Sequence, residues 1–259
     1  MATHKKLNKQ PLKFALAEFR FSPVIKMPEF IPELQEALRR KYPILKNDKE
    51  QVVLFQAGGI GMNSIDRWSF ISASKKTAVE INQERLVFVT AEYNRFPQFS
   101  DDCRFAISLL EKIVEPGLIG RIGLRYSDLI NISKGEKVSD LVDPHLGYFD
   151  CLSPLGQAKR KTTETFLHTK IGGLVVRTLY GEHNMICLPD ANQLPISLGT
   201  PGEPSERIIL DFDHFWEAED ESVTFEVEDV LDKLAQLHDI SIDAFWNITS
   251  ENARDKIWA

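Results

Sequence analysis

The three-residue link Asn82-Gln83-Glu84 constrains this chain more than any other feature. On either side of it lie two runs of β-branched and apolar residues, Thr77 to Asn82 and Arg85 to Tyr93. A link that short cannot hold the crossover helix that parallel strands require, so the two runs must form an antiparallel hairpin. The runs before it, Gln51 to Gln56 and Trp68 to Ser74, extend the pattern to a meander, with a Gly-rich turn between them that includes Gly59-Ile60-Gly61.

Strand and helix signals continue on both sides. In Leu12 to Phe21, Phe14, Leu16, Glu18 and Arg20 share one face, while Ala15, Ala17, Phe19 and Phe21 share the other. A helix opened by Pro28 carries Ile31, Leu34 and Leu38 at helical spacing and ends in Arg39, Arg40 and Lys41. Ser100 and Asp101 are expected to cap a second helix lined by Phe105, Leu109, Leu110 and Ile113, which stops at Pro116-Gly117. Arg121 to Asn131 reads as a strand and Ser139 to His145 as a short helix.

A second set of hairpins is expected from Lys159 to Thr169, Leu174 to Tyr180 and Met185 to Leu188. Asp190 to Pro204 reads as a loop or linker and Arg207 to Phe215 as a further strand. Glu226 to His238 sets Val227, Val230, Leu231, Leu234 and Leu237 on one stripe, which predicts an amphipathic helix on a sheet, with His238 as its C-terminal cap. A shorter closing helix is expected from Ile240 to Phe245 and Asn252 to Trp258. The fold class is therefore α+β, with antiparallel hairpins packed against helices and a long amphipathic helix near the C-terminus. The expected organisation is one domain over 1–259, with sub-halves 1–135 and 136–259 as the one division the pattern offers.

Composition closes off several classes. At 43% hydrophobic and 27% charged, the 259 residues suit a folded core rather than disorder or a fibrous repeat. No apolar run reaches the roughly 18 residues of a membrane span, and the basic start MATHKKLNKQPLKF has no apolar run after it. A cytoplasmic protein without a membrane partner is expected. Cys103, Cys151 and Cys187 are too widely spaced for a disulfide framework or a zinc clamp. A net charge of −7 means that any nucleic-acid contact would rest on a local patch, and Lys5, Lys6 and Lys9 are expected to be a solvated tail.

Most catalytic signatures fail on spacing. Gly59-Ile60-Gly61 leads into a strand rather than a helix, and there is no Walker loop, HExxH, GxSxG or EF-hand loop. Ser72-Ala73-Ser74-Lys75 matches an SxxK string but sits where a strand turns. No cofactor and no metal site is expected.

Charges on strands remain. Asp211 and Asp213 alternate onto one face, where a divalent cation could bridge them in a metal-dependent hydrolase or nuclease given a third ligand, with Glu18 and Glu164 as strand-borne candidates. Pairing to arginines on neighbouring strands is the more ordinary arrangement. Arg121 and Arg125 share a face, and with Glu18, Arg20, Asp211 and Asp213 they would form an ion network on adjacent strands. Such a network is either structural or a site for an anion or a partner. Arg125 in particular is expected to be bound by Glu18, Asp211 or Asp213.

At PLKFALAEFRFSP (Pro11 to Pro23), RIGLRYSDLIN (Arg121 to Asn131) and the late pair ILDFDHF and KLAQLHDISIDAFWNIT, the chain resembles a sporadically distributed family of bacterial and archaeal hypothetical proteins. The resemblance implies no activity for any of these positions. The family's patchy distribution implies a role in a mobile, defence or toxin-antitoxin setting. The function expected is thus a non-catalytic interaction or regulatory subunit with a protein partner encoded nearby. The alternatives are the metal-dependent enzyme and a helix-grip protein holding a small ligand between sheet and helix.

Overall fold

The computed structural model describes residues 4–56, 59–220 and 223–259. Nine antiparallel strands form one sheet: β1 (Leu12–Phe21), β2 (Ile44–Gln56), β3 (Gly59–Ile71), β4 (Thr77–Ile81), β5 (Arg85–Thr90), β6 (Ile119–Asn131), β7 (Arg160–His168), β8 (Gly173–His183) and β9 (Ser205–Glu217). Their order across the sheet is β2-β3-β4-β5-β1-β6-β9-β8-β7. Helices α1 (Met27–Leu38), α2 (Phe96–Val114), α3 (Val138–Leu141) and α4 (Val227–Ile248) complete the α+β architecture. The strands of 1–135 and 136–259 join along β6 and β9, paired from Arg121 with Glu217 to Asn131 with Arg207.

The alternation read from β1 sets the layers. Ala15, Ala17, Phe19 and Phe21 are buried in the main core under α1, α2 and α4. The same parity holds for Ile122, Leu124 and Tyr126 of β6 and for Ile208, Leu210 and Phe212 of β9. On α4 the stripe Val227, Val230, Leu231, Leu234, Leu237 and Phe245 completes this core. Each of these large apolar side chains contributes ~1.5–3 kcal/mol by leaving water.

Several boundaries differ from the sequence reading. The amphipathic helix continues to Ile248, so Ile240 to Phe245 belongs to α4 and only residues Ala253–Ile257 form a separate closing turn. His238 therefore sits inside the helix rather than capping it. α2 begins at Phe96, with Pro97 in its first turn, rather than at Ser100. Its buried stripe is Phe99, Cys103, Ala106, Ile107, Leu110 and Val114, with Phe105 partly exposed beneath Lys41.

Gly59-Ile60-Gly61 lies in β3, paired with Phe55 and its neighbours on β2, instead of in a turn; residues 57–58 lie outside the described residues. From Gly59 to Arg67, β3 pairs with β2 alone, because β4 pairs only with Trp68 to Ile71.

Residues 185–204 depart most from expectation. β8 runs on to His183 and pairs with β9 as far as Ser205, so no strand forms at Met185 to Leu188. The segment folds back over the sheet face opposite the helices. There Cys187, Ala191 and Ile196 pack on Phe14, Ile71, Ala78, Val87 and Val89, while Met185 and Leu188 cover Leu129, Leu179 and Ile209. Ser197 anchors it, donating its N–H to the Lys75 carbonyl at 2.7 Å. This is a fitted cover rather than a linker.

The N-terminal segment is likewise held down. Leu7 is buried, Lys5 and Lys6 reach Asp255 and Asn94 at 2.5 Å, and the Lys9 N–H donates to the Trp258 carbonyl. Free charged tails gain little from exposed pairs; the buried Leu7 and the backbone bond hold this strap in place. Among the described residues no helix is long and apolar enough to cross a membrane.

Candidate functional site

The cover at 185–198 hides the apolar rows of its face and leaves the charged rows open. Register explains why they gather. Arg20 of β1 lies directly opposite Arg85 of β5 on one side and Arg121 of β6 on the other. Two residues back along β1, on the same face, Glu18 lies opposite Val87 and Gly123. With no side chain at Gly123, Glu18 can be reached from three strands.

Glu18 is the shared acceptor of this row. Arg20 Nε donates to its Oε1 at 2.8 Å, while Arg85 and Arg121 lie 3.6 and 3.7 Å from it. Glu80, buried on β4, takes Arg67 and Arg85 at 3.6 Å and accepts from the Ser69 hydroxyl at 3.2 Å. The Arg121 guanidinium lies 4.3 Å over the Phe215 ring and 3.5 Å from Glu217 at the rim. The Nε–H groups of Arg67 and Arg121 are buried without a hydrogen bond. Arg20 is the most open of the four, with its side chain 49% exposed.

A second cluster lies one strand over and is closed. Arg125 Nε donates to both carboxylate oxygens of Asp211, at 3.0 and 3.1 Å, and its terminal nitrogens reach Asp190 at 2.9 and 3.0 Å. Burial opposes the charge on Arg125, but Asp211 and Asp190 outweigh it and raise the guanidinium pKa further. Burial also pushes Asp211 above the usual carboxylate range, with Arg125 acting against it. At Asp190 burial is likewise opposed by Arg125, and the net effect is a lowered pKa. Arg177, bonded to Glu164 at 2.9 Å, reaches Asp190 from the far side.

No protein-family model matches the chain. No curated protein matches it either. The reading of this face therefore rests on its own chemistry.

The six positions singled out from sequence all lie on the sheet face opposite the helices, five of them in two groups. Glu18, Arg20 and Arg121 meet in the open row, and Arg125 with Asp211 forms the closed pair. Asp213 sits opposite Arg125 in the β6–β9 register but makes no ion pair among the described residues. Glu18 is held by arginines and Glu164 by Arg177, so neither joins Asp211. No group of three or more His, Cys, Asp or Glu among the described residues is placed to hold a metal ion. Sequence reasoning missed Arg67, Glu80, Arg85 and Asp190. The first three could have been found by extending strand parity through β3, β4 and β5; Asp190 comes from the folded-back cover and has no local signal.

Two open clefts flank the arginine row. One, about 480 Å³, is bounded by Arg20, Ser22, Gly120, Arg121, Glu217 and Asp220. The other, about 190 Å³, has Glu18, Arg67, Glu80 and Arg85 on its floor and Gln193 to Pro195 as its wall. Both sheet edges, in contrast, carry charge: Lys46, Asp48 and Lys49 on β2, and Arg160, Lys161 and Glu164 on β7. Charged edges discourage strand addition, so the face is the better surface for a partner.

Proposed function

We propose that the chain is a non-catalytic interaction subunit that docks an acidic segment of a protein partner on the arginine row Arg85, Arg20 and Arg121. The observation that carries this reading is the row itself. Like charges directly opposite one another across strands are destabilising, and a network selected for stability would alternate them with acids. Here three guanidiniums stand abreast and share Glu18, with Glu80 reaching Arg85 and Glu217 reaching Arg121 at the two ends of the row.

Carboxylates fit this row because each guanidinium offers a planar fork to a carboxylate pair. A nucleic-acid backbone fits it less well, since it would meet Glu217 and Asp220 in the same cleft and a chain of net charge −7. The partner we propose is encoded beside this chain, in the defence or toxin-antitoxin setting that the family resemblance implies.

Expression of the native operon with an affinity tag on this chain tests the reading. The neighbouring gene product should co-elute, fall away as salt is raised, and be lost from an Arg20→Glu/Arg121→Glu variant. A chain that elutes alone, a partner retained by the charge-reversed variant, or co-eluting nucleic acid in place of protein would overturn it.

A further inference from the structure

The helix-covered side of the sheet holds a separate site. On β6, Ile122, Leu124, Tyr126, Asp128 and Ile130 share the parity that points under the helices. Four belong to the apolar core; the fifth is a carboxylate. Asp128 is 3% exposed and makes no hydrogen bond or ion pair among the described residues. A buried carboxylate without a partner costs several kcal/mol as an ion, so without a cation beside it the group is driven toward its protonated form.

Asp128 lines a chamber of about 60 Å³ with Tyr93, Tyr126, Phe212, Ser241 and Phe245. The chamber shares Gln10, Tyr93, His238 and Ile242 with an outer cleft of about 340 Å³, roofed by the N-terminal strap. The walls are fixed. His238 stacks on Phe96 with centroids 4.0 Å apart and bonds the Tyr126 hydroxyl through Nδ1 at 3.0 Å, while Tyr93 meets Tyr126 edge to face at 5.6 Å.

From this geometry we infer that the chamber binds the ammonium group of a small primary amine, with Asp128 as its counter-ion and Tyr93, Tyr126 and Phe245 around it. Each part of the arrangement serves that end. Aromatic faces attract a desolvated cation, and Tyr93, Tyr126, Phe212 and Phe245 line the chamber. His238, the basic residue in the chamber's lining, does not substitute for the ligand: burial holds it down at about 4, so it is neutral at physiological pH. Burial, with Asp211 behind it on the other face, holds the Asp128 carboxyl well above its ordinary range. An arriving ammonium would supply the missing charge and draw Asp128 into its ionised form. This inference is independent of the arginine row on the opposite face.

Thermal denaturation of the full chain with n-butylamine, against n-butanol and butyrate as neutral and anionic controls of similar size, tests it. The melting temperature should rise with the amine alone. Asp128→Asn should weaken the effect about tenfold or more, the loss expected for one charge-assisted contact. Ile242→Trp, which narrows the mouth while leaving Asp128 in place, should do the same, and amide chemical shifts of Tyr126 and His238 should move on titration in the parent chain. Equal effects of amine and alcohol, an effect that survives Asp128→Asn, or no rise at any amine concentration up to its solubility would overturn the inference.

Discussion

Arg125 of β6 and Asp211 of β9 are joined by a single guanidinium nitrogen, Nε, that donates to both carboxylate oxygens at 3.0 and 3.1 Å. Asp211 has no solvent exposure at all, so Arg125 is what keeps its charge tolerable. Arg125→Met should therefore destabilise the chain by about 3–5 kcal/mol, the cost of leaving a buried charge unpaired. The double variant Arg125→Met/Asp211→Leu should recover much of that loss. Urea denaturation of the three proteins measures both, and a single variant as stable as the parent would disprove the structural role.

Arg20 presents the opposite case. Half of its side chain is exposed and its pair with Glu18 is a surface one, worth at most about 1 kcal/mol. Arg20→Ala should leave the melting midpoint nearly unchanged and yet weaken capture of the partner at the arginine row. If co-purification from the native operon is undiminished in this variant, the row is not the docking surface.

The pH dependence of stability should carry the mark of His238. Its folded-state pKa lies near 4, below the ordinary value of 6.5, because burial disfavours the charged ring and His4 adds repulsion against a smaller pull from Asp243. For a base with a lowered folded pKa, the unfolded chain binds the extra proton. Stability is then intact above about pH 6.5 and declines as pH falls toward 4, by an amount on the order of 2–3 kcal/mol. Asp128 and Asp239 also border the ring's surroundings, so the comparison is with His238→Gln, whose stability should vary less over the same interval. Identical slopes for the two proteins between pH 6.5 and 4 would contradict this assignment.

Asp128 has the reverse sign. Its folded-state pKa is raised by burial, so its contribution is most favourable at pH values below the ordinary carboxylate range and is lost as pH rises through the folded value. Asp128→Asn should accordingly stabilise the chain at neutral pH, by about 1 kcal/mol or more, and the gain should shrink in acid. Such a gain would mean that fold stability does not account for a carboxylate at this position. Denaturation at pH 7 and pH 4.5 provides the measurement; a destabilised Asn variant at pH 7 would show that Asp128 has a partner in the folded chain.

Parity made much of this legible in advance. Alternation in Leu12 to Phe21 and in Arg121 to Asn131 assigned Glu18, Arg20, Arg121 and Arg125 to one face, and the short Asn82-Gln83-Glu84 link gave the antiparallel sense. The same rule, carried two residues past Tyr126, would have put Asp128 among core residues, where a carboxylate stands out. What could not be read was held by distant packing. Asp190 reaches Arg125 because 185–198 folds back on apolar rows of β1, β3, β4 and β5. Likewise, His238 became a wall residue because α4 runs past it for ten further residues instead of ending there.

The position of β1 has a consequence for how the molecule is made. β1 is the earliest strand in the chain and lies in the middle of the sheet, with Ala15 paired to Thr90 and Leu16 to Arg125. A nascent chain must keep both sides of this strand waiting until β5 and then β6 have been synthesised, and such non-local pairings form slowly. α4, the last long element, then closes over β6 and β9 and brings His238, Ser241 and Phe245 against Asp128. The chamber thus forms later than the strands beneath it, and a growing chain on the ribosome has no such cavity until α4 docks.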